Sequence, residues 1–286
     1  MPELPEVETT RRGLQKEIVG LRILAVWTDL KTSDKRKKDT VADPKYFRIF
    51  KREIVGKRIL SVERRAKNIL INLSNKKTIL IHLKLTGYLF VGGDGERGLP
   101  KYIHLFFSLS KNKFVALSDL RKFAKITLLA IQETRSSKHL GSLGPEPLAK
   151  NFTLKRFRER ILKKPKGKIK TVLMDQSVLA GLGNIYSDEI LWAAGIQPER
   201  IVAKIREAEF KKMFQAMKKI LRKAIHLGGD STSDYLNIHG RPGKFQLHHK
   251  AYQRTGEKCR KPGCKGVIMR KIINGRSAHF CPRHQF

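Results

Sequence analysis

The chain has few acidic residues for its size. Only 25 of its 286 residues are Asp or Glu, against 61 Lys or Arg, so the formal net charge is +36 at pH 7. Positive charge spread along a whole chain indicates a polyanionic partner, most often nucleic acid. RNA and an anionic membrane surface are the competing partners.

Long apolar runs are also lacking. No segment approaches the ~20 apolar residues that a membrane-spanning helix needs, and the first residues do not resemble a secretory signal. We therefore expect a cytoplasmic protein with no membrane partner. With 40% hydrophobic residues, the chain is long enough to bury a core and to form two main domains.

Cysteine is scarce and confined to the C-terminal tail. The pattern Cys259-x4-Cys264-x16-Cys281-x2-His284 supplies four ligands in two pairs, with room for a β-hairpin between them. Such pairs favour one tetrahedral Zn²⁺ ion that is structural because its coordination is closed. Metal binding would then supply the folding energy of a ribbon over residues 247–286. Three free cysteines and an incidental histidine are the alternative.

The first 135 residues combine one helix with several short strands. Apolar residues on one side predict a helix from Pro5 to about Ile18. Strands are predicted at 22–28, 58–64, 69–73, 78–83, 102–109 and 114–117. Many short strands at this spacing predict a β-sandwich with flanking helices, and an α+β fold class overall. The charged run 33–39 is predicted to be a solvated loop.

The second half has a different pattern. Two prolines within 143–148 predict an interdomain linker over 136–150. Helices are predicted at 152–162, 169–175, 186–194 and 207–226. These helices would form a small helical domain over 151–246.

A glycine-containing segment, 175–186, lies between two of these helices. Gly181 and Gly183 permit tight turns, and Asn184 can cap the next helix, whose free N–H groups form a seat for phosphate. This pattern predicts a helix–two-turn–helix motif. The lysines just upstream would reinforce the phosphate seat: Lys163, Lys164, Lys166, Lys168 and Lys170.

The chain opens with Met1-Pro2-Glu3-Leu4-Pro5-Glu6. Removal of Met1 would leave the secondary amine of Pro2 at the N-terminus. An α-amino group of pKa ~8 is roughly one-tenth unprotonated at pH 7, and the neutral amine can form a Schiff base with an electrophilic carbon. The same residues also suit the first turn of a helix, so both interpretations stay open here.

Several separated motifs resemble those of the formamidopyrimidine-DNA glycosylase family, bacterial repair enzymes that remove oxidised purines. The motifs follow the family's order over essentially the full length. They lie at 2–8, 64–67, 82–87, 143–148 and 175–189, and in the cysteine-containing tail that ends with Phe280-Cys281-Pro282.

The resemblance implies a bifunctional DNA glycosylase. Pro2 would attack C1′ of the damaged nucleotide, expel the base and form an imine that permits β- and δ-elimination. Glu3 would protonate the sugar ring oxygen, with Glu6 supporting the site. Lys67 and Arg276 would assist elimination, Arg276 as a phosphate clamp because a guanidinium hardly deprotonates.

The resemblance also implies a monomer that binds double-stranded DNA with oxidised bases or abasic sites, associated with the bacterial nucleoid while it acts. The residues that match DNA contacts are His82, Tyr102, Lys166, Lys170, Asn184 and Tyr252. Leu85, Arg121 and Phe123 match the side chains that fill the gap left by the everted base, because the target carbon is shielded inside the duplex. Residues 228–246 resemble the loop that covers the flipped purine.

The chain departs from the family's usual pattern at three places. Leu85 stands where the family usually has methionine, which keeps an apolar wedge. Tyr102-x-His104 replaces the usual His-x-His, so one DNA contact of the family is not matched. The zinc ligands are usually four cysteines with a two-residue first spacer, whereas this chain has a four-residue spacer and His284.

Other functions stay open on the sequence. The sister endonuclease of the same fold prefers oxidised pyrimidines, but Arg121 and Phe123 favour the purine enzyme. A non-catalytic DNA-binding protein on this scaffold would not need Pro2, Glu3 and Lys67 together. An RNA-binding, ribosome-associated protein would fit the charge and not the acidic N-terminus.

Overall fold

A computed structural model describes residues 1–32, 38–93, 98–134 and 136–286. The chain forms two compact units. The first comprises Met1–Gly141 and Leu227–Lys244, and the second comprises Ser142–His226 and Phe245–Phe286. Most of the predicted solvated loop, at 33–37, lies outside the described residues.

Two antiparallel four-stranded sheets form the first unit. One has the strand order β1-β6-β7-β5 and the other the order β2-β3-β4-β8. The strands are β1 Ile23–Thr28, β2 Ile59–Arg65, β3 Asn68–Leu73, β4 Lys77–His82, β5 Tyr88–Gly93, β6 Ile103–Leu109, β7 Lys113–Ser118 and β8 Lys125–Ala130. Helices α1 Leu4–Ile18 and α2 Pro44–Ile54 accompany the sheets, and α1 packs against β2 and β3.

One hydrophobic core joins these layers. It includes Val7 of α1, Phe50 of α2, Ile71 of β3 and Phe107 of β6, all of them buried. Strand β3 is buried at every position and lies between β2 and β4 in its sheet. Since the two sheets share one core, the predicted β-sandwich with flanking helices is confirmed.

Three elements of this unit are not predicted by the sequence analysis: α2, β5 and β8. A start signal for α2 is nevertheless visible in the sequence. The side chain of Asp43 accepts hydrogen bonds from the backbone N–H groups of Lys45 and Tyr46, and Pro44 occupies the first helical position. Strand β8 exists because it pairs with β4 at the end of its sheet, which is a tertiary effect.

Four helices and a hairpin form the second unit. These elements are α3 Leu154–Leu162, α4 Ile169–Met174, α5 Asn184–Ala194, α6 Glu207–His226, β9 Met269–Ile273 and β10 Arg276–Phe280. Helix α6 packs against α3 and α5, and α5 also contacts β10. Asn274 and Gly275 both have positive φ, as a two-residue hairpin turn requires. This turn places Arg276 at the start of β10.

Two connecting segments differ from the predicted organisation. Residues Leu227–Lys244, grouped with the helical domain by the sequence, pack in the first unit. There Ile238 joins the core and its carbonyl accepts a hydrogen bond from the N–H of Val91. The predicted linker is divided, because its residues up to Gly141 belong to the first unit and those from Ser142 onward to the second, where the N–H of Gly144 donates to the carbonyl of Gln176.

None of the helices in the described ranges combines the length and the apolar character needed to cross a membrane.

Candidate functional site

The N-terminus of α1 contains three of the predicted catalytic residues, Pro2, Glu3 and Glu6. Met1 is 41% exposed, whereas Pro2, Glu3 and Glu6 are buried. The N–H of Glu3 donates to Glu6 Oε2 at 2.7 Å, and the Glu3 side chain accepts from the backbone of the first turn, which makes a reciprocal capping box. The helix start therefore holds residue 2 in a buried position next to two carboxylates.

Lys67 lies in the turn between β2 and β3 and is buried. The turn is tight, with Ala66 at φ 53°. Arg64 attaches it to α1, because its Nε donates to Glu8 at 3.0 Å and its Nη1 donates to the carbonyl of Ala66 at 3.0 Å. Arg64 of the motif 64–67 thus connects the Lys67 turn to α1, whose N-cap is Glu3.

Glu8 is held in its charged form at this attachment. Burial opposes its ionisation, but hydrogen bonds from Arg11 and Arg12 and the charge of Arg64 outweigh burial and lower the pKa of Glu8. A carboxylate whose folded pKa is lowered contributes stability above its unfolded pKa, and this is lost as pH falls through the folded value. The attachment therefore persists at neutral pH.

His82 ends β4 and pairs in register with Asn68, the residue after Lys67. Burial, with the charges of Lys84 and Lys67, lowers the pKa of His82 to about 3. The neutral ring accepts a hydrogen bond from the N–H of Lys84 at Nδ1 (3.0 Å), which leaves the proton on Nε2. His82 is thus a neutral hydrogen-bond donor beside Lys67.

Part of the predicted lesion-covering loop is anchored to the start of α1. Glu6 Oε1 accepts a hydrogen bond from the N–H of Asp230 at 2.8 Å, and the Tyr235 hydroxyl donates to the carbonyl of Glu6 at 3.1 Å. Between these anchors, Ser233 and Asp234 are exposed. Glu6 therefore connects the covering loop to the backbone of Glu3.

The three predicted gap-filling residues lie on two turns of the first unit. Arg121 and Phe123 follow β7, and both are exposed, with the guanidinium carbon 4.7 Å from the centre of the Phe123 ring. Leu85 lies in the turn after β4 and is half-buried. Tyr102, before β6, is 55% exposed. Asp119, to which the sequence analysis assigns no role, is buried between these turns.

The helix–two-turn–helix loop precedes α5 in the second unit. Its shape depends on Gln176, whose side-chain oxygen accepts from the N–H of Gly181 and whose amide donates to the carbonyl of Leu182. Asn184 is the first residue of α5, and the cap is Gly183 with no side-chain hydrogen bond. The predicted capping role of Asn184 is therefore wrong.

The upstream lysines do not form one uniform phosphate seat. Lys164 and Lys168 are engaged in ion pairs with Asp175 and Glu199 respectively. Lys166, a predicted DNA contact, is exposed. Lysines that already pair with carboxylates offer less charge to a phosphate, so Lys166 is a better candidate than Lys164 or Lys168.

Lys170 lies inside the second unit. It has no exposed surface and pairs with Asp188, which is equally buried. Asp188 also accepts a hydrogen bond from the N–H of His279 at 3.0 Å, which connects α5 to β10. In place of the predicted DNA contact at Lys170, the structure shows a buried ion pair that joins α4 to α5.

The burial of Lys170 and the exposure of Lys166 predict different effects of substitution at the two positions. Lys170→Met should lower the free energy of unfolding by about 3–5 kcal/mol, because it leaves a buried carboxylate without its cation. Lys166→Met, the exposed control, should change stability by less than about 0.5 kcal/mol and weaken DNA binding. Urea unfolding and DNA titration of both variants check this. A stable Lys170→Met protein with weakened DNA binding would contradict the buried role.

A cleft between the start of α5 and the hairpin contains two of the predicted DNA contacts. It is lined by Asn184, Tyr252, Gln253, Thr255, Arg270, Ser277 and His279. The buried carboxylate of Glu189 accepts the backbone N–H groups of Lys250, Ala251 and Tyr252 at 2.9–3.0 Å and so fixes one wall. Arg276 is exposed at the start of β10.

The four predicted metal ligands lie together in the second unit. The ligand atoms of Cys259, Cys264, Cys281 and His284 are all within 4.8 Å of one another. Cys264 Sγ and Cys281 Sγ are 3.7 Å apart, close to the ~3.8 Å that tetrahedral Zn–S bonds of ~2.3 Å require. The residues present therefore fit a tetrahedral metal ion.

The surroundings of these ligands also fit a metal. His284 Nδ1 lies 3.3 Å from Cys259 Sγ, and its Nε2 donates to the carbonyl of Trp192 at 3.0 Å, which leaves Nδ1 as the ligand atom. The N–H of Gly266 donates to Cys264 Sγ and lowers the pKa of that thiol. A Cβ on Gly266 would lie 2.5 Å from Cys281 Sγ, so only glycine fits here.

Comparison with known proteins agrees with these observations. The family models for the formamidopyrimidine-DNA glycosylase N-terminal domain and H2TH domain match residues 1–126 and 143–235. A formamidopyrimidine-DNA glycosylase from Streptococcus mutans is 39% identical over 285 residues, which cover 100% of this chain and 99% of the relative.

Solved structures of the same family share the fold. A Lactococcus lactis FPG mutant in complex with a Fapy-dG containing DNA has a TM-score of 0.87 and 33% identity, with 99% of each chain covered. A MutM protein in complex with carbocyclic 8-oxo-G containing DNA has a TM-score of 0.86 and 34% identity, again with 99% of each chain covered.

Fold, buried N-terminal residues and metal-ligand cluster together define a DNA repair glycosylase that acts on damaged bases. The chain belongs to the formamidopyrimidine-DNA glycosylase family.

Proposed function

We propose that the protein excises oxidised purines, 8-oxoguanine and formamidopyrimidines, from duplex DNA and then cleaves the abasic site by β,δ-elimination. One observation carries the proposal: Pro2 is buried at the start of α1 beside Glu3 and Glu6, while Met1 is exposed. Loss of Met1 removes little packing and converts the buried nitrogen of Pro2 into a terminal secondary amine.

The chemistry follows from these groups. The neutral amine of Pro2 attacks C1′ and the bond from C1′ to the base breaks. The base leaves with the bonding electrons and takes up the proton that the Pro2 nitrogen releases. Glu3 gives its proton to the sugar ring oxygen, so the ring opens and the nitrogen becomes an iminium. The iminium makes the hydrogen on C2′ acidic, and loss of a proton from C2′ expels the 3′ phosphate. A second elimination then expels the 5′ phosphate.

Lys67 and Arg276 act on the elimination steps in this proposal. Lys67 is buried beside the neutral ring of His82, and we assign it to proton transfer during elimination. Arg276 is exposed at the start of β10 and serves as a clamp for phosphate, since a guanidinium remains charged.

Contacts with duplex DNA come from both units. Leu85, Arg121 and Phe123 fill the gap after eversion of the damaged nucleotide, and the exposed aromatic ring of Phe123 is suited to stacking. Asn184, Tyr252 and Lys166, together with His82 and Tyr102, bind the sugar–phosphate backbone. We expect the protein to act as a monomer on bacterial nucleoid DNA. The four-ligand cluster holds one structural Zn²⁺ ion.

Borohydride trapping tests the proposal. Duplexes with 8-oxoguanine opposite cytosine should yield a covalent adduct at Pro2, which peptide mapping after reduction would locate. A matched duplex with an oxidised pyrimidine should react at least about tenfold more slowly. Absence of an adduct, or an adduct at a lysine with full excision by Pro2→Gly, would refute the mechanism. Faster reaction of the pyrimidine duplex would instead indicate a preference for oxidised pyrimidines, as in the sister endonuclease of the same fold.

A further inference from the structure

Asp119 is a buried carboxylate between the two turns that carry the gap-filling side chains. It is 1% exposed and follows β7 directly. Its Oδ1 accepts a hydrogen bond from the Thr86 hydroxyl and lies 3.3 Å from the N–H of Arg121, and its Oδ2 accepts from the N–H of Ala124 at 2.8 Å. One carboxylate thus binds both turns.

Thr86 completes the connection. Its hydroxyl donates to Asp119 and accepts a hydrogen bond from the N–H of Arg121 at 3.2 Å. Leu85 is the neighbour of Thr86 in the chain. The backbone N–H of Asp119 donates to the carbonyl of Tyr102 at 3.0 Å, so a third turn with a predicted DNA contact joins the same group.

These turns need support because their backbones are strained. Lys84, Tyr102 and Lys122 have φ values of 58°, 58° and 53°. Left-handed backbone costs a non-glycine residue roughly 1–2 kcal/mol and persists only where surrounding contacts enforce it. Each strained residue is itself a predicted DNA contact or the direct neighbour of one. The backbone of Asp119 hydrogen-bonds to Tyr102 and Lys122, and its carboxylate reaches the turn of Lys84 through Thr86.

We propose that Asp119 and Thr86 are positioning residues that set the gap-filling wedge before DNA arrives. This inference rests on the proposed function, which assigns Leu85, Arg121 and Phe123 to the wedge. Unstacking a base pair costs a few kcal/mol, and a wedge that must first become ordered adds its own entropy cost. A preset wedge therefore speeds eversion of the base and leaves the Schiff-base chemistry unchanged.

Thr86→Val and Thr86→Ser form the matched pair of variants. Valine keeps the shape and removes the hydroxyl, whereas serine keeps the hydroxyl. With 8-oxoguanine opposite cytosine, single-turnover excision by Thr86→Val should slow about tenfold, in keeping with the loss of one or two hydrogen bonds, and Thr86→Ser should stay within about twofold of the parent. Asp119→Asn should slow excision to a similar extent as Thr86→Val. Asp43→Asn, a control at the N-cap of α2, should excise at the rate of the parent protein.

Two further readouts separate positioning from general stability. Fluorescence of 2-aminopurine beside the lesion should show slower unstacking with Thr86→Val. Cleavage of a preformed abasic site should change less than about threefold, because such a nucleotide leaves the stack at little cost. Melting temperatures of the variants provide the stability control.

Either of two results would overturn the inference. One is a Thr86→Val protein with unchanged excision and unchanged 2-aminopurine traces. The other is equal slowing on lesion and abasic duplexes together with a lowered melting temperature, which would make the role purely structural. The 2-aminopurine signal reports unstacking and does not require the Pro2 amine. Failure of the Schiff-base proposal would instead appear as the absence of a borohydride adduct, so the two failures can be told apart.

Discussion

A protein extended by one residue before Pro2 should bind damaged DNA and fail to cut it. The extension turns the Pro2 nitrogen into a tertiary amide, which has no free electron pair for attack on C1′. We expect no borohydride adduct and a fall in excision of about a thousandfold or more, as for other enzymes that lose their nucleophile. Affinity for an uncleavable abasic analogue should change by less than about tenfold, because only the N-terminus is altered.

The matched control is the same protein after proteolytic removal of the extension, which restores Pro2 as the first residue and should restore both reactions. Glu3→Gln is the complementary variant. It should lose excision by roughly 10²–10⁴-fold, the usual contribution of a general acid, yet still form an adduct with a preformed abasic site. Full excision by the extended protein would exclude Pro2 as the nucleophile.

Removal of the metal should unfold the C-terminal ribbon and strongly weaken DNA binding. The four ligand atoms lie within 4.8 Å of one another, with Cys259 and Cys281 buried, and structural zinc contributes about 10–16 kcal/mol to the folding of zinc-finger peptides. Cys281→Ala should contain no zinc by elemental analysis. Because Tyr252 and Arg276 are carried by the same segment, its affinity for a lesion duplex should fall by at least about a hundredfold.

His284→Cys is the matched variant for this experiment. It restores the four-cysteine set that is usual in the family and should retain one zinc ion per chain, although it removes the hydrogen bond to the Trp192 carbonyl. DNA affinity should then stay close to that of the parent. Metal-free protein that binds a lesion duplex as tightly as the parent would contradict a structural role for the ion.

Acidic residues are few in this chain, and several of the buried ones connect separate elements of the fold. Glu6 joins the backbone of Glu3 to that of Asp230, and Asp119 joins the wedge turns. In the second unit, Asp188 and Glu189 fasten the hairpin and its preceding segment to α5. A buried carboxylate accepts several backbone N–H groups at once and is costly to leave unpaired. Each of these acids therefore acts as a junction between elements that carry predicted functional side chains.

Local chemistry determined much of this protein from the sequence alone. The helix that starts at the N-terminus, the strands of alternating pattern and the long helix α6 follow from periodicity and caps within a few residues. The four metal ligands also follow from the sequence, because two close pairs of soft ligands define a site by spacing. The family was visible for the same reason, since its motifs are short and contiguous.

Tertiary structure decided what depends on distant partners. Strand β8 forms because β4 offers a paired edge, and Leu227–Lys244 joins the first unit because Ile238 finds a core there. Lys170 was predicted to reinforce a phosphate seat with the neighbouring lysines, but it is buried in an ion pair with Asp188, eighteen residues later. Charge and sequence motifs indicate which side chains could contact DNA or take part in the reaction. Burial and hydrogen-bond partners, which arise only when remote segments pack, decide which of them face the DNA.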